Sequence, residues 1–83
     1  SDVELVLDYL SDIRKHVGEA MGETPFGPYV REGKLFYGWI ADFRDAVIEK
    51  AVERMRPKWG QYPAFDVVTQ SHAQAMFFET YLH

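Results

Sequence analysis

Phe26-Gly-Pro-Tyr-Val-Arg-Glu-Gly-Lys-Leu-Phe-Tyr-Gly-Trp-Ile-Ala-Asp-Phe43 is the stretch on which the fold turns. Its eighteen positions hold Phe26, Tyr29, Phe36, Tyr37, Trp39 and Phe43, six of the thirteen aromatic residues (two Trp, five Tyr, six Phe) in a chain of 83. Around Glu32-Gly33 lie β-favouring residues, and glycine after an acid suits a tight turn with a positive φ at Gly33. The pattern predicts two short strands, 28–31 and 34–37, joined as a hairpin. A loop feeding a helix from about Lys34 is the competing reading, and Gly38 counts against it.

Outward from this segment the pattern is helical on both sides. Val3, Val6, Leu10, Ile13, Val17 and Met21 recur at 3.6-residue spacing and predict a first helix from Asp2 to Met21. Ser1 and Glu4 form a capping-box pair at its start. Gly22 reads as a left-handed stop, and Pro25 prevents resumption. On the other side, Ile40, Phe43, Val47, Ala51 and Met55 mark a second helix over 39–56, its stripe widened by Trp39, Ala46 and Ile48. Pro57 is expected to end it, with Arg54, Arg56 and Lys58 complementing the negative end of its dipole.

A third helix is expected from Pro63 to about Leu82. Phe65, Val68, His72, Ala75, Met76 and Leu82 mark one face and Val67, Phe78 and Tyr81 another. Ser71 with Gln74 is an alternative capping box that would start it later. The expected architecture is mainly α: one domain over 1–83, a small three-helix bundle with a short β-hairpin between the first and second helices.

Composition narrows the function. The chain has no cysteine, which removes disulfides and thiolate metal sites. No apolar run approaches the ~20 residues of a membrane span, and no signal peptide precedes Ser1. A small residue at position 1 fits a trimmed initiator Met, so the expectation is a complete cytoplasmic chain. The net charge of −4 conceals an acidic N-terminal helix and a basic stretch at Lys50, Arg54, Arg56 and Lys58. The simplest account is that the two lie against each other. Overall acidity argues against nucleic acid as the main partner. Lys50 to Trp59, cations beside an aromatic, remains a weaker nucleic-acid reading.

Candidate chemistry is sparse. His72 and Glu79 fall seven residues apart on the apolar face of the third helix, and Arg44 falls between Ile40 and Ile48 on the second. Two ionisable groups on an apolar stripe need partners, so Arg44 is expected to pair with Glu79. The functional alternative is a small-molecule or cofactor pocket around Arg44, His72 and Glu79. Asp12 and His16, one turn apart near Tyr9, supply two metal ligands at most, so no metal and no cofactor is expected. Ser71 points about 100° from His72 on a helix, and the six glycines are too scattered for a phosphate cradle. The chain is therefore expected not to be an enzyme.

The rings of Phe26, Tyr29, Phe36, Tyr37 and Trp39 are the strongest candidate site. A chain this short buries only about 60% of the surface exposed by its unfolded form. Some rings then stay at the boundary, where Tyr and Trp tolerate a partly wet setting and anchor interfaces. The expected function is a small acidic protein-binding module: an accessory subunit, inhibitor or adaptor. It would form a homodimer, or dock on a larger protein, through this aromatic surface.

Overall fold

The structure, a computed structural model, describes residues 1–82. Four α-helices follow one another: α1 (Asp2–Glu23), α2 (Gly27–Arg31), α3 (Ile40–Trp59) and α4 (Phe65–Tyr81). A single 3₁₀ turn, Tyr37–Trp39, leads into α3. The three long helices pack on one another in an elongated body of 43 × 19 × 16 Å. No helix among the described residues is long and apolar enough to cross a membrane.

The hairpin is absent. Residues 27–31 form the short helix α2, and no strand occurs among the described residues. Pro28 sits in the first turn of α2, where its missing N–H costs nothing. The Gly33 amide donates to the Val30 carbonyl at 3.0 Å and the Lys34 amide to Tyr29 at 2.8 Å. These two bonds close a helix on a left-handed residue, a Schellman motif, and Gly33 takes φ 67°. The positive φ expected of Gly33 is thus present, but it stops a helix where the hairpin reading had it turn a strand. A Gly in this setting serves both structures equally, and five residues are too few for periodicity to separate them.

Helix α1 opens with the Ser1–Glu4 capping box, the Glu4 amide donating to Ser1 Oγ at 3.3 Å. It does not stop at Gly22, which stays helical. Thr24, extended at φ −79° and ψ 163°, ends it. The residue before a proline is driven out of the α region, so Pro25 sets this boundary. Pro57 likewise fails to end α3, which runs two residues beyond it to Trp59. Proline near a helix end forfeits one backbone bond, and the gain lies just past it. Trp59 is buried, and Lys58 reaches Asp8 and Asp12 only if the helical phase is kept.

Helix α4 begins at Phe65 after Ala64 in the left-handed region, so neither Pro63 nor Ser71 starts it. Its buried line is Phe65, Thr69, Ala73 and Phe77, one position round from the expected face. Thr69 is tolerated at full burial because its hydroxyl shares a 2.9 Å hydrogen bond with the hydroxyl of Tyr9. Within α1 only Ile13, Val17 and Ala20 are buried, while Val3 and Val6 on the same stripe lie in solvent.

The core is a column of rings and aliphatics. Phe43 meets Phe77 edge-on at 5.1 Å and Tyr81 at 5.9 Å, and Val47, Ala51 and Met55 continue the α3 side. Phe43→Ala and Phe77→Ala should each lower stability by about 3–5 kcal/mol. Val67→Ala, at an exposed position of α4, should stay within ~0.5 kcal/mol. Urea unfolding of the three variants checks the ranking.

Candidate functional site

The five aromatic residues of the 26–39 segment come together. Trp39 is the hub, with Tyr29 edge-on at 5.7 Å, Phe36 edge-on at 5.8 Å and Phe26 at 6.3 Å. Phe36 in turn meets Tyr37 at 5.0 Å. Local structure explains the assembly. The turn of α2 brings Tyr29 beneath the start of α3, and the 3₁₀ turn throws Phe36 and Trp39 to one side. Gly38 makes this possible, since a Cβ there would lie 2.5 Å from Cε1 of Phe36.

Phe26 is half-buried and touches Phe43 at 5.8 Å, so the cluster is rooted in the core. Its outer members are not covered. Phe36 is 52% exposed and Tyr37 78%, with Tyr29 and Trp39 also exposed. Rings packed against one another and left open to water on their outer side form an apolar face.

The second candidate set is dispersed. Arg44 bonds its neighbour Asp45 at 3.0 Å and is only partly buried. Glu79 faces Arg14 at 3.7 Å with both side chains exposed. His72 is exposed and lies edge-on to Tyr9 at 5.8 Å. The expected Arg44–Glu79 pair is therefore absent, and each residue has a different neighbour. A wheel drawn at 100° per residue placed them on apolar faces, but the buried line of α4 runs through Thr69 and Ala73, which leaves His72 and Glu79 outside.

The charge complementarity read from the sequence is present. Arg54 pairs with Glu19 and Glu23 of α1, and Lys58 with Asp8 at 2.9 Å and Asp12 at 3.2 Å. Arg56 meets Asp66 at 2.7 Å and lies over the Phe65 ring. All three cations of the 54–58 stretch thus face carboxylates of this chain. Asp12 also accepts a 2.9 Å bond from the Trp59 indole N–H. That bond above all, with Lys58 beside it, holds the Asp12 carboxyl below its ordinary range. His16, one turn from Asp12, turns instead to Glu19 at 3.5 Å. No group of three or more metal-ligating side chains occurs among the described residues.

One feature escaped the sequence reading. The first two turns of α1 overhang the body, because α3 ends at Trp59 beside Tyr9 and α4 starts at Phe65. Val3, Leu5, Val6 and Leu7 are all exposed there. An apolar cleft of about 380 Å³ opens beneath them, lined by Leu5, Val6 and Leu10 of α1, Tyr62 and Pro63 of the connection, and Val68 of α4, among others. His72 borders it; Arg44 and Glu79 do not. The signal was in the sequence: Leu5 and Leu7 fall off the stripe, so residues 3–10 are apolar on more sides than one buried face can use. No family model, curated protein or solved structure matches this chain.

The depressed Asp12 sets a sign for acid behaviour. A carboxyl whose folded pKa lies below its unfolded one, about 3.9, stabilises the fold above that value and loses the contribution as pH falls through the folded one. Asp12→Asn should flatten this acid limb of the stability curve below about pH 4. Thermal melts of both proteins from neutral to acid pH check it; an unchanged limb would remove Asp12 from the account.

Proposed function

We propose that this chain is a small non-catalytic protein-binding module that docks through the aromatic face of Phe26, Tyr29, Phe36, Tyr37 and Trp39. One observation carries the reading: five rings packed on one another, anchored on core Phe43 through Phe26, and open to solvent on the outer side. Singly exposed hydrophobics are ordinary, whereas a contiguous apolar patch of several hundred Å² marks an interaction surface. Tyr and Trp are also the residues whose truncation at interfaces costs most. The partner class is protein, this chain itself included, as a homodimer, accessory subunit, inhibitor or adaptor would require. The acidic balance and the pairing of Arg54, Arg56 and Lys58 with carboxylates of this chain weigh against nucleic acid.

Tyr29→Ala and Tyr37→Ala should each weaken partner binding tenfold or more, at a cost below ~1.5 kcal/mol of stability, since a part-exposed ring leaves little cavity. The check pairs urea unfolding with capture of partner protein on the immobilised chain. Severe unfolding with undiminished capture would make these rings core and end the docking reading.

A further inference from the structure

The cleft between the start of α1 and α4 has a lining almost without free polar groups. The hydroxyls of Tyr9 and Thr69 bond each other at 2.9 Å, and the Trp59 indole N–H is given to Asp12. Leu5, Val6, Leu10, Pro63, Phe65 and Val68 bring only apolar side chains. The His72 imidazole and the Tyr62 hydroxyl are what remains, both on exposed residues. A buried water typically makes about three hydrogen bonds, which this lining does not supply. Such a poorly hydrated hollow gains by taking in an apolar body.

Size sets the class of occupant. About 380 Å³ lies near the small end of ligand sites, roughly 300–1,000 Å³. Trp59, Phe65 and Thr69 in its lining are almost fully buried, so too little of the cleft is open to seat the surface of a folded protein. Rings dominate the lining: Trp59 has Tyr9 edge-on at 5.3 Å and Tyr62 tilted against it at 5.7 Å, with Phe65 beside them. Charge sets the rest. No Lys, Arg, Asp or Glu lines the cleft. The nearest cations in sequence, Lys58 and Arg56, are taken by Asp8 and Asp12 and by Asp66. An anion therefore meets no free cation in a chain of net charge −4, and a cation meets no carboxylate in the lining.

We propose that this cleft binds a small uncharged aromatic molecule of one or two rings that carries a hydroxyl group, a phenol or a naphthol in kind. The ring of the ligand lies against the aromatic lining, where aromatic pairing adds to the gain from buried area. Its hydroxyl donates to the imidazole of His72, which borders the cleft edge-on to Tyr9 at 5.8 Å and is a stronger acceptor than a phenolic oxygen. The site is separate from the docking face proposed above, since the cleft stands at the end of α3 and the ring cluster at its start.

The test is titration calorimetry of the whole chain with 2-naphthol at neutral pH, beside 2-naphthoate as the charged analogue of the same ring system. Naphthol should bind one per chain with a Kd on the order of 0.1–1 mM, and naphthoate at least tenfold more weakly. Val68→Glu and Leu5→Glu, both at exposed positions of the lining, put a charge into the cleft from opposite walls. Each should weaken naphthol binding tenfold or more with little change in melting temperature. Val67→Glu, one residue away and outside the lining, should bind as wild type does. His72→Leu keeps the cleft apolar and removes the acceptor, so a loss of about fivefold reads the hydrogen bond itself. No binding at millimolar naphthol, naphthoate binding as tightly as naphthol, or undiminished binding in any of the three lining variants overturns the proposal. Partner capture by the ring face is read separately, so either reading can fail without the other.

Discussion

Phe43 is the contact on which the rest of this structure depends. It is fully buried, and it meets Phe77 and Tyr81 of α4 on one side and Phe26 on the other. The first pair joins the two C-terminal long helices. The second fixes the connection that leaves α1, because Phe26 is the residue just before α2. Trp39 packs on Phe26, and Tyr29 and Phe36 pack on Trp39. A chain of rings in contact, tilted at Phe26 and edge-on about Trp39, therefore runs from the middle of the core to the surface. The geometry of the exposed face is inherited from the core. Aromatic pairs gain about 0.5–1.5 kcal/mol beyond their buried area, so each outer ring is held by its neighbour even where water touches its far side.

At the other end the register is electrostatic as much as apolar. Asp12 takes a bond from Trp59 and an ion pair from Lys58, while Arg54 spans Glu19 and Glu23 nearly two turns further along α1. Exposed ion pairs contribute little individually. Here they act as a set that only one helical phase satisfies, and that phase requires α3 to continue through Pro57. The proline's lost bond is offset by burying Trp59 against Tyr9 and by its neighbour Lys58 lying over the indole at 5.1 Å. Sign-matched charges on α1 and α3 thus do what a longer apolar stripe would do in a larger protein.

Long-range pattern was legible and short-range punctuation was not. The two outer helices of the connection, the antiparallel match of acidic α1 to basic α3 and the solvent exposure of the rings all follow from spacing and composition over many residues. What failed were single-residue boundary signals, the stops at Gly22 and Pro57 and the start at Pro63. Gly22, Pro57 and Pro63 carry strong local preferences, but burial of Trp59 and extension before Pro25 outweighed two of them. The hairpin failed because Glu32-Gly33 has the same chemistry at a hairpin turn and at a helix C-terminus. Arg44, His72 and Glu79 were misplaced because a stripe drawn at ideal angles does not know that Thr69, satisfied by Tyr9, is acceptable at its centre. The overhang of Val3 to Leu7 was missed because an apolar stripe shows which face is buried only where a partner helix is present to cover it.

The helical form of the 27–39 connection also decides what kind of contact its rings can make. A hairpin there would have presented an open edge of backbone donors and acceptors, a template for strand addition. In α2 those groups are spent on the helix and on the Gly33 and Lys34 caps. What remains for a partner is side-chain surface. Docking on it is then governed by apolar burial at about 25 cal/mol per Å² against the entropy of association, with no ladder of main-chain bonds to add affinity. Under the docking proposed above, such a face would select by shape. Interlocked rings on a rigid root meet that demand better than flexible aliphatics, because little side-chain freedom is left to lose when the contact forms.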